Sequence, residues 1–245
     1  MGLLNWQKSF KGLFATMVFF LMAMTSYAQS RMEFIRVIEN PIRLEQDRKL
    51  DSKRMPLDTL LFIEPMPGMK VLDIFSGGGH TAQLMALAVA PTGKVFAMNL
   101  KPNEALLERV GRQTQSNIIP IVTSIDDLTN EPNGSFDLIT IVNSYHDMVN
   151  VKPEIDSVNQ KIYDLLKPNG MLIVRDHAAK DGAGKSATRT LHRIDPASVV
   201  SDFQKVGFKK VAEGNFLKSP LDTKEKHSTQ TGDILPEDFI FKFVK

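Results

Sequence analysis

The sequence predicts one α/β domain built on a doubly wound, mostly parallel sheet with an antiparallel C-terminal edge hairpin. Three observations carry this. From Lys70 onward, short and fully apolar runs alternate with helical segments, as in strands covered on both faces. A run of three glycines, Gly77-Gly78-Gly79, follows the first apolar run and opens a helix. The last two apolar runs have no long helix between them.

The strands are predicted at Val71–Ile74, Val95–Met98, Ile118–Val122, Phe136–Val142, Met171–Val174, Val211–Phe216 and Phe239–Val244. Helices are predicted at Thr81–Val89, Glu104–Gln113 and Ile155–Leu166. Pro-Gly, Pro-Thr-Gly and Pro-Asn-Gly sequences punctuate the turns. Asp195-Pro196 predicts a further helix start, with Asp as N-cap and Pro in the first turn. Ahead of the sheet, Met32 to Ile63 is charged and helical in pattern, interrupted at Pro56. The domain reading is therefore an export signal over 1–28, a helical extension over 29–66 and the α/β domain over 67–245.

The leader expectation rests on Lys8 and Lys11, the uncharged run Gly12 to Met24, and Ser26-Tyr27-Ala28 as a cleavage site after Ala28. That 13-residue run is short beside the roughly 20 residues of a membrane span. Cleavage would leave a periplasmic or secreted domain with no stable membrane span. It would also leave 28 basic and 28 acidic residues. A chain so balanced gives no electrostatic case for nucleic acid. The absence of Cys excludes disulfides and thiolate metal sites.

The stretch VLDIFSGGGHTAQLMA, Val71 to Ala86, carries the first chemistry. Gly77 and Gly79 let the backbone turn tightly and approach a ligand. The helix that follows offers free N–H groups. Gly77-x-Gly79-x-x-Ala82 also satisfies a dinucleotide fingerprint. Asp73 favours a cofactor with a cationic amino group over a pyrophosphate, which it would repel.

The phrases VLDIFSGGGHTAQLMA, PTGKVFAMN, NSYHDM, LLKPNGMLIVRDHAA and LHRID resemble class I S-adenosylmethionine-dependent methyltransferases. More closely, they resemble a bacterial group of predicted methyltransferases that often carry signal peptides. The resemblance runs from about Arg48 to the C-terminus. It implies a Rossmann-like fold, S-adenosylmethionine as cofactor and methyl transfer to a small-molecule acceptor. Cofactor contacts are then expected from Asp73, Phe75, Ser76, Gly77, Gly79, His80, Asn99, Asp126 and Asn143. Three positions depart from the superfamily pattern. Asn99 replaces the acid that ends the second strand, Ser124 the Asp after the third, and Phe75 the first glycine of the loop.

In an open parallel sheet the carboxyl ends of neighbouring strands face one crevice. The fourth strand runs into Asn143-Ser144-Tyr145-His146-Asp147 and the fifth into Arg175-Asp176-His177. Tyr145, His146, Asp147, Asp176 and His177 are the candidate catalytic residues. His146 or His177 serves as base near neutral pH, with Asp147 or Asp176 orienting it. His192 and Arg193 are candidate substrate contacts, and Asp181 to Arg189 a candidate mobile lid. Two alternatives remain. One is an exported ligand- or metal-binding protein using His146, His177 and a carboxylate, although the spacing assigns no metal. The other is a nicotinamide-dependent oxidoreductase, disfavoured by Asp73 and Asn99.

Overall fold

The computed structural model describes residues 30–111, 117–128, 131–152 and 154–245. The export signal expected over 1–28 lies outside the described residues, as do Arg112 and Gln113 at the expected end of one helix. Among the described residues no helix is long and apolar enough to cross a membrane.

The described residues begin with helices α1 (30–39), α2 (Glu45–Arg48), α3 (Asp51–Arg54) and α4 (Pro56–Ile63). The sheet elements then follow as β1 (Lys70–Ile74), α5 (His80–Ala88), β2 (Lys94–Asn99), α6 (Glu104–Gly111) and β3 (Ile118–Val122). Next come β4 (Phe136–Val142), α7 (Tyr145–Val151), α8 (Ile155–Leu165) and β5 (Leu166–His177). The chain ends with α9 (Thr188–Leu191), α10 (Pro196–Lys205), β6 (Lys209–Gly214) and β7 (Asp238–Val244).

Seven strands form one sheet in the order β3-β2-β1-β4-β5-β7-β6. The first five are parallel, and β7 is antiparallel to both β5 and β6. The predicted edge pair is present, with β7 inserted between β5 and β6. Side chains alternate across the sheet as a period of two requires. Leu72, Ile74, Ile139, Ile141, Leu172 and Val174 enter a core with α7, α8 and α10. Val71, Leu138, Ile173 and Ile240 enter a second core with α1, α4, α5 and α6. Both faces are thus sealed, which is why the central strands read as unbroken apolar runs.

The observed elements depart from the predicted ones mainly at the sixth strand, which is Lys209–Gly214 rather than Val211–Phe216, at the fifth strand and at the helix after β4. The fifth strand is 12 residues long and contains the Pro168-Asn169-Gly170 turn signal. Asn169 takes φ +63 there, so the signal marks an irregularity within the strand rather than its start. Helix α7 was not foreseen. Its first turn is Tyr145-His146-Asp147, the polar run expected only as the continuation of the fourth strand. Asn143 at φ +52 turns the chain out of β4, and Ser144, a residue type suited to the N-cap, stands at that position without forming a side-chain cap hydrogen bond.

The segment expected to be a mobile lid is pinned instead. Asp195 caps α10 through the Ala197 N–H at 2.9 Å and accepts the Gly182 N–H at 2.8 Å and the Gly184 N–H at 3.3 Å. Lys185 pairs with Asp202 at 2.7 Å. One carboxylate therefore starts a helix and holds the loop before it. Asp195→Ala is expected to cost about 2 kcal/mol in urea unfolding and to open residues 181–187 to proteolysis, while Asp195→Asn keeps most of the stability. An unchanged alanine variant would contradict this account of the loop.

Candidate active site

The loop after β1 is held by side chains from other elements. Asp73 is buried, and its carboxylate accepts from Ser76 Oγ and Thr140 Oγ1, each at 2.6 Å. Burial pushes its pKa up to about 6, against those hydrogen bonds. Asn99 Oδ1 accepts the Gly77 N–H at 2.9 Å, and Asn99 Nδ2 donates to the Gly77 carbonyl at 3.1 Å. Arg109 Nε donates to the Gly78 carbonyl at 2.6 Å, and its Nη1 reaches Asp47 at 2.6 Å and Gln83 at 2.5 Å. Asp73 and Asn99, expected as cofactor contacts, thus have protein partners: Ser76 of the loop and Thr140 of β4 for Asp73, and Gly77 for Asn99.

The glycines divide by role. A Cβ on Gly77 would meet nothing within 4 Å. A Cβ on Gly79 would lie 2.6 Å from Leu106 Cδ1. Gly79, at φ +80, is needed for the packing of α6, and only Gly77 faces open space. Phe75 takes φ +53, a left-handed conformation that costs an L-residue on the order of 1 kcal/mol.

That open space is a cavity of about 540 Å³ lined by the loop, α5, Arg109 and the N-terminal helices. Phe75, Ser76, Gly77, His80 and Asn143 line it, together with Arg54 and Arg175. Two buried polar atoms in its wall have no partner, His80 Nε2 and Asn143 Oδ1. His80 begins α5 and lines the same wall. Burial, reinforced by Arg54, lowers its pKa to about 3, so the ring is neutral. Asp126 lies elsewhere, paired with Lys152 at 2.5 Å on the surface. A small apolar pocket lies on the other side of Phe75, lined also by Leu100, Ser124 and Ile125.

A further cavity, of about 520 Å³, shares Leu50, Arg54, Asn143 and Arg175 with the first. His177 and Asp238 line it. His177 Nδ1 bonds Asp238 Oδ1 at 2.6 Å, and Arg175 Nε and Nη2 donate to Asp238 Oδ2 at 2.9 and 2.7 Å. Asp238 carries these contacts and was not foreseen. It enters from β7, more than sixty residues away, and only its place at the head of an apolar run hinted at burial. Arg54, Arg109 and Asp47 were missed for the same reason. Arg109 falls on the Leu106 stripe of α6, the one sign that it points inward.

His146 is buried and oriented by Asp176, which accepts from its backbone N–H at 2.8 Å and faces Nδ1 at 2.7 Å. The Asp176 and Asp147 carboxylates hold the His146 pKa above its usual value against the burial of the ring. His146 and His177 are near neighbours, with ring centroids 6.1 Å apart. The group that converges on one point is instead His146, Asp147 and His192.

Tyr145 and Arg193 are corrected to structural roles. Tyr145 is fully buried, donates to Asp202 at 3.0 Å and accepts from Asn159 at 2.8 Å, and burial drives its pKa far up. Arg193 is fully buried against Asp222 at 2.8 Å and the carbonyls of Ala178 and Lys226. Neither lines either of the two large cavities, because each side chain is consumed by a buried polar partner.

A family model described as a methyltransferase domain matches residues 65–228. The chain belongs to this methyltransferase domain family. Membership implies S-adenosylmethionine as the methyl donor. Curated relatives include a ubiquinone/menaquinone biosynthesis C-methyltransferase of Cupriavidus metallidurans, 32% identical over 111 residues, which are 44% of this chain and 43% of the relative. A ubiquinone biosynthesis O-methyltransferase of Xanthomonas campestris is 32% identical over 110 residues, 44% of this chain and 43% of the relative. The chain thus spans less than half the length of these relatives. The crystal structure of a SAM-dependent methyltransferase from Aquifex aeolicus shares the fold, with a TM-score of 0.60 at 16% identity. That alignment covers 81% of this chain and 96% of the other.

The methyltransferase loop generates two predictions. Gly79→Ala is expected to lose about 1–3 kcal/mol by forcing α6 away, whereas Gly77→Ala loses about 1 kcal/mol but weakens S-adenosylmethionine binding at least tenfold. Equal stability losses would contradict the division of roles. Because the folded pKa of Asp73 is raised, its contribution to stability is complete below 3.8 and falls as pH rises to about 6. Denaturant titrations of wild type and Asp73→Asn should therefore show a stability difference that shifts against the wild type across that window.

Proposed function

We propose that this chain transfers a methyl group from S-adenosylmethionine, held in the first cavity, to a small molecule held in the second. The observation that carries this reading is the pair of orphaned polar atoms, His80 Nε2 and Asn143 Oδ1, in a cavity whose floor is Gly77. Their chemistry fits the cofactor's amino-acid end. Asn143 Oδ1 would accept from its ammonium, and Arg54 and the neutral His80 would hold its carboxylate. The volume falls in the range of small-molecule sites. When bound, S-adenosylmethionine supplies an electrophilic methyl group on a sulfonium.

Methyl transfer mainly needs the acceptor held in line with the donor. Leu50, Arg54, Asn143 and Arg175 wall both cavities, so donor and acceptor would meet there. Asp238 fixes the His177 ring through Nδ1, and His177 Nε2 is the atom that would take a proton from an oxygen or nitrogen acceptor. The second cavity mixes apolar walls, Phe216, Leu217 and Leu235, with Lys53 and Lys218. That lining suits an acceptor with an apolar body and an anionic or hydroxylated end. The curated relatives are named for transfer to carbon in one case and to oxygen in the other. The acceptor atom of this chain is therefore read from its own second cavity. The leader features of residues 1–28 support placement of the domain outside the cytosol.

Calorimetric titration of the purified chain with S-adenosylmethionine and S-adenosylhomocysteine is expected to give micromolar binding, with NADH inert. Arg54→Ala should weaken it at least tenfold while Tyr145→Phe leaves it unchanged. No binding by folded protein, or an unaffected Arg54 variant, would remove the cofactor from this cavity. N-terminal sequencing of the exported protein should begin at Gln29; a start at Met1 would overturn the placement.

A further inference from the structure

We propose a divalent transition-metal site formed by His146 Nε2, Asp147 Oδ1 and His192 Nδ1, apart from both cavities. The three atoms are 3.3 Å (His146 to His192), 3.4 Å (His146 to Asp147) and 3.9 Å (His192 to Asp147) apart. Ligand atoms around a tetrahedral zinc ion, bonded at roughly 2.0–2.1 Å, stand about 3.3 Å from one another. Two of the three edges match that figure, and the third closes with a small rotation of a half-exposed side chain.

The surroundings are those of a built ligand set. His146 faces Asp176 through Nδ1 at 2.7 Å, and the same carboxylate accepts the His146 backbone N–H at 2.8 Å. A carboxylate receiving the far N–H of an imidazole fixes the tautomer that leaves the other nitrogen a lone pair for a metal. His146 Nε2 is the nitrogen so exposed. His192 is held from behind by the His227 ring, with centroids 4.4 Å apart. It sits at φ +48, where α9 ends, and that backbone turn brings it to α7. His227 Nδ1 is occupied by Thr229, which leaves that ring a buttress for His192.

Two imidazoles and one carboxylate select zinc or ferrous iron over calcium or magnesium. The His192 and Asp147 side chains are 41% and 45% exposed, so the fourth position opens to solvent. Three protein ligands with an open position is the pattern of a reactive metal site rather than a closed structural one. The site would bind an anionic oxygen ligand there. The topology makes the cluster: α7 delivers His146 and Asp147, the C-cap of α9 delivers His192 and β5 the orienting Asp176, and the isolated bridge Ala178–Ile194 ties the segment after β5 to the residues that follow His192.

The test uses chain without a histidine tag, freed of metal by chelator and titrated with Zn²⁺ by calorimetry and with Co²⁺ by visible absorption. One ion per chain with submicromolar Zn²⁺ affinity and tetrahedral Co²⁺ bands is expected. His192→Ala and Asp147→Ala, both at half-exposed positions, should each weaken binding at least tenfold with unchanged circular dichroism. His177→Ala should leave it unaltered. Affinity weaker than 100 μM, loss with His177→Ala instead of His192→Ala, or indifference to both His192 and Asp147 would overturn the site and leave a hydrogen bond between imidazoles only. S-adenosylmethionine binding in the His192→Ala and Asp147→Ala variants should be retained, which separates this site from the cofactor reading.

Discussion

The geometry of the first cavity depends on one buried guanidinium. Arg109 reaches from α6 to the Gly78 carbonyl, to Asp47 in the N-terminal helices and to Gln83 on α5. Four separate segments thereby meet at one side chain. A buried cation is costly unless fully partnered, so the arrangement tolerates little displacement of any of the four. The loop is further held by Asn99 and Asp73 on its other side. Each spends its polar atoms on backbone or hydroxyl partners, which makes the loop rigid. What remains unsatisfied, His80 Nε2 and Asn143 Oδ1, stands out against this background because nearly every other polar group nearby has a partner.

The carboxyl ends of β4 and β5 supply two histidines to two different environments. Two acids separate them. Asp176, within β5, turns His146 toward His192, and Asp238, from β7, turns His177 into the second cavity. The antiparallel insertion of β7 between β5 and β6 is what places Asp238 opposite His177. Edge topology therefore decides site chemistry: had β7 lain outside β6, His177 would have no fixed orientation and Arg175 no counter-charge.

Much of the architecture was legible in the sequence. β3 and β4 were read to the residue, and the start of α10 followed from Asp195-Pro196, because local chemistry sets both. Helix α7 was not read although Ser144 stands at its N-cap, since the helix follows β4 with only Asn143, in the left-handed region, and Ser144 between them. The candidate clusters were legible by residue type and neighbourhood: His146, His177, Asp176 and His192 were all named, although not which of them would group together. Their partners were not. Asp73 and Asn99 read as ligand contacts because the sequence shows which residues lie at a strand end and not which way their oxygens turn. Tyr145 and Arg193 read as functional for the same reason, and each has a buried partner, Asp202 or Asp222, distant in the chain.

The sequence by itself determined the alternation of strand and helix, the open glycine turn and the strand ends that carry polar residues. These depend on period, φ requirement and apolar runs, all of which act within a few residues. Only the tertiary structure decided which polar groups are spent on one another and which stay free for a ligand. That depends on contacts between Asp47 and Arg109, Thr140 and Asp73, or Asp238 and His177, each more than sixty residues apart. A buried hydrogen bond is decided by distance and angle in space, and no periodicity along the chain records it.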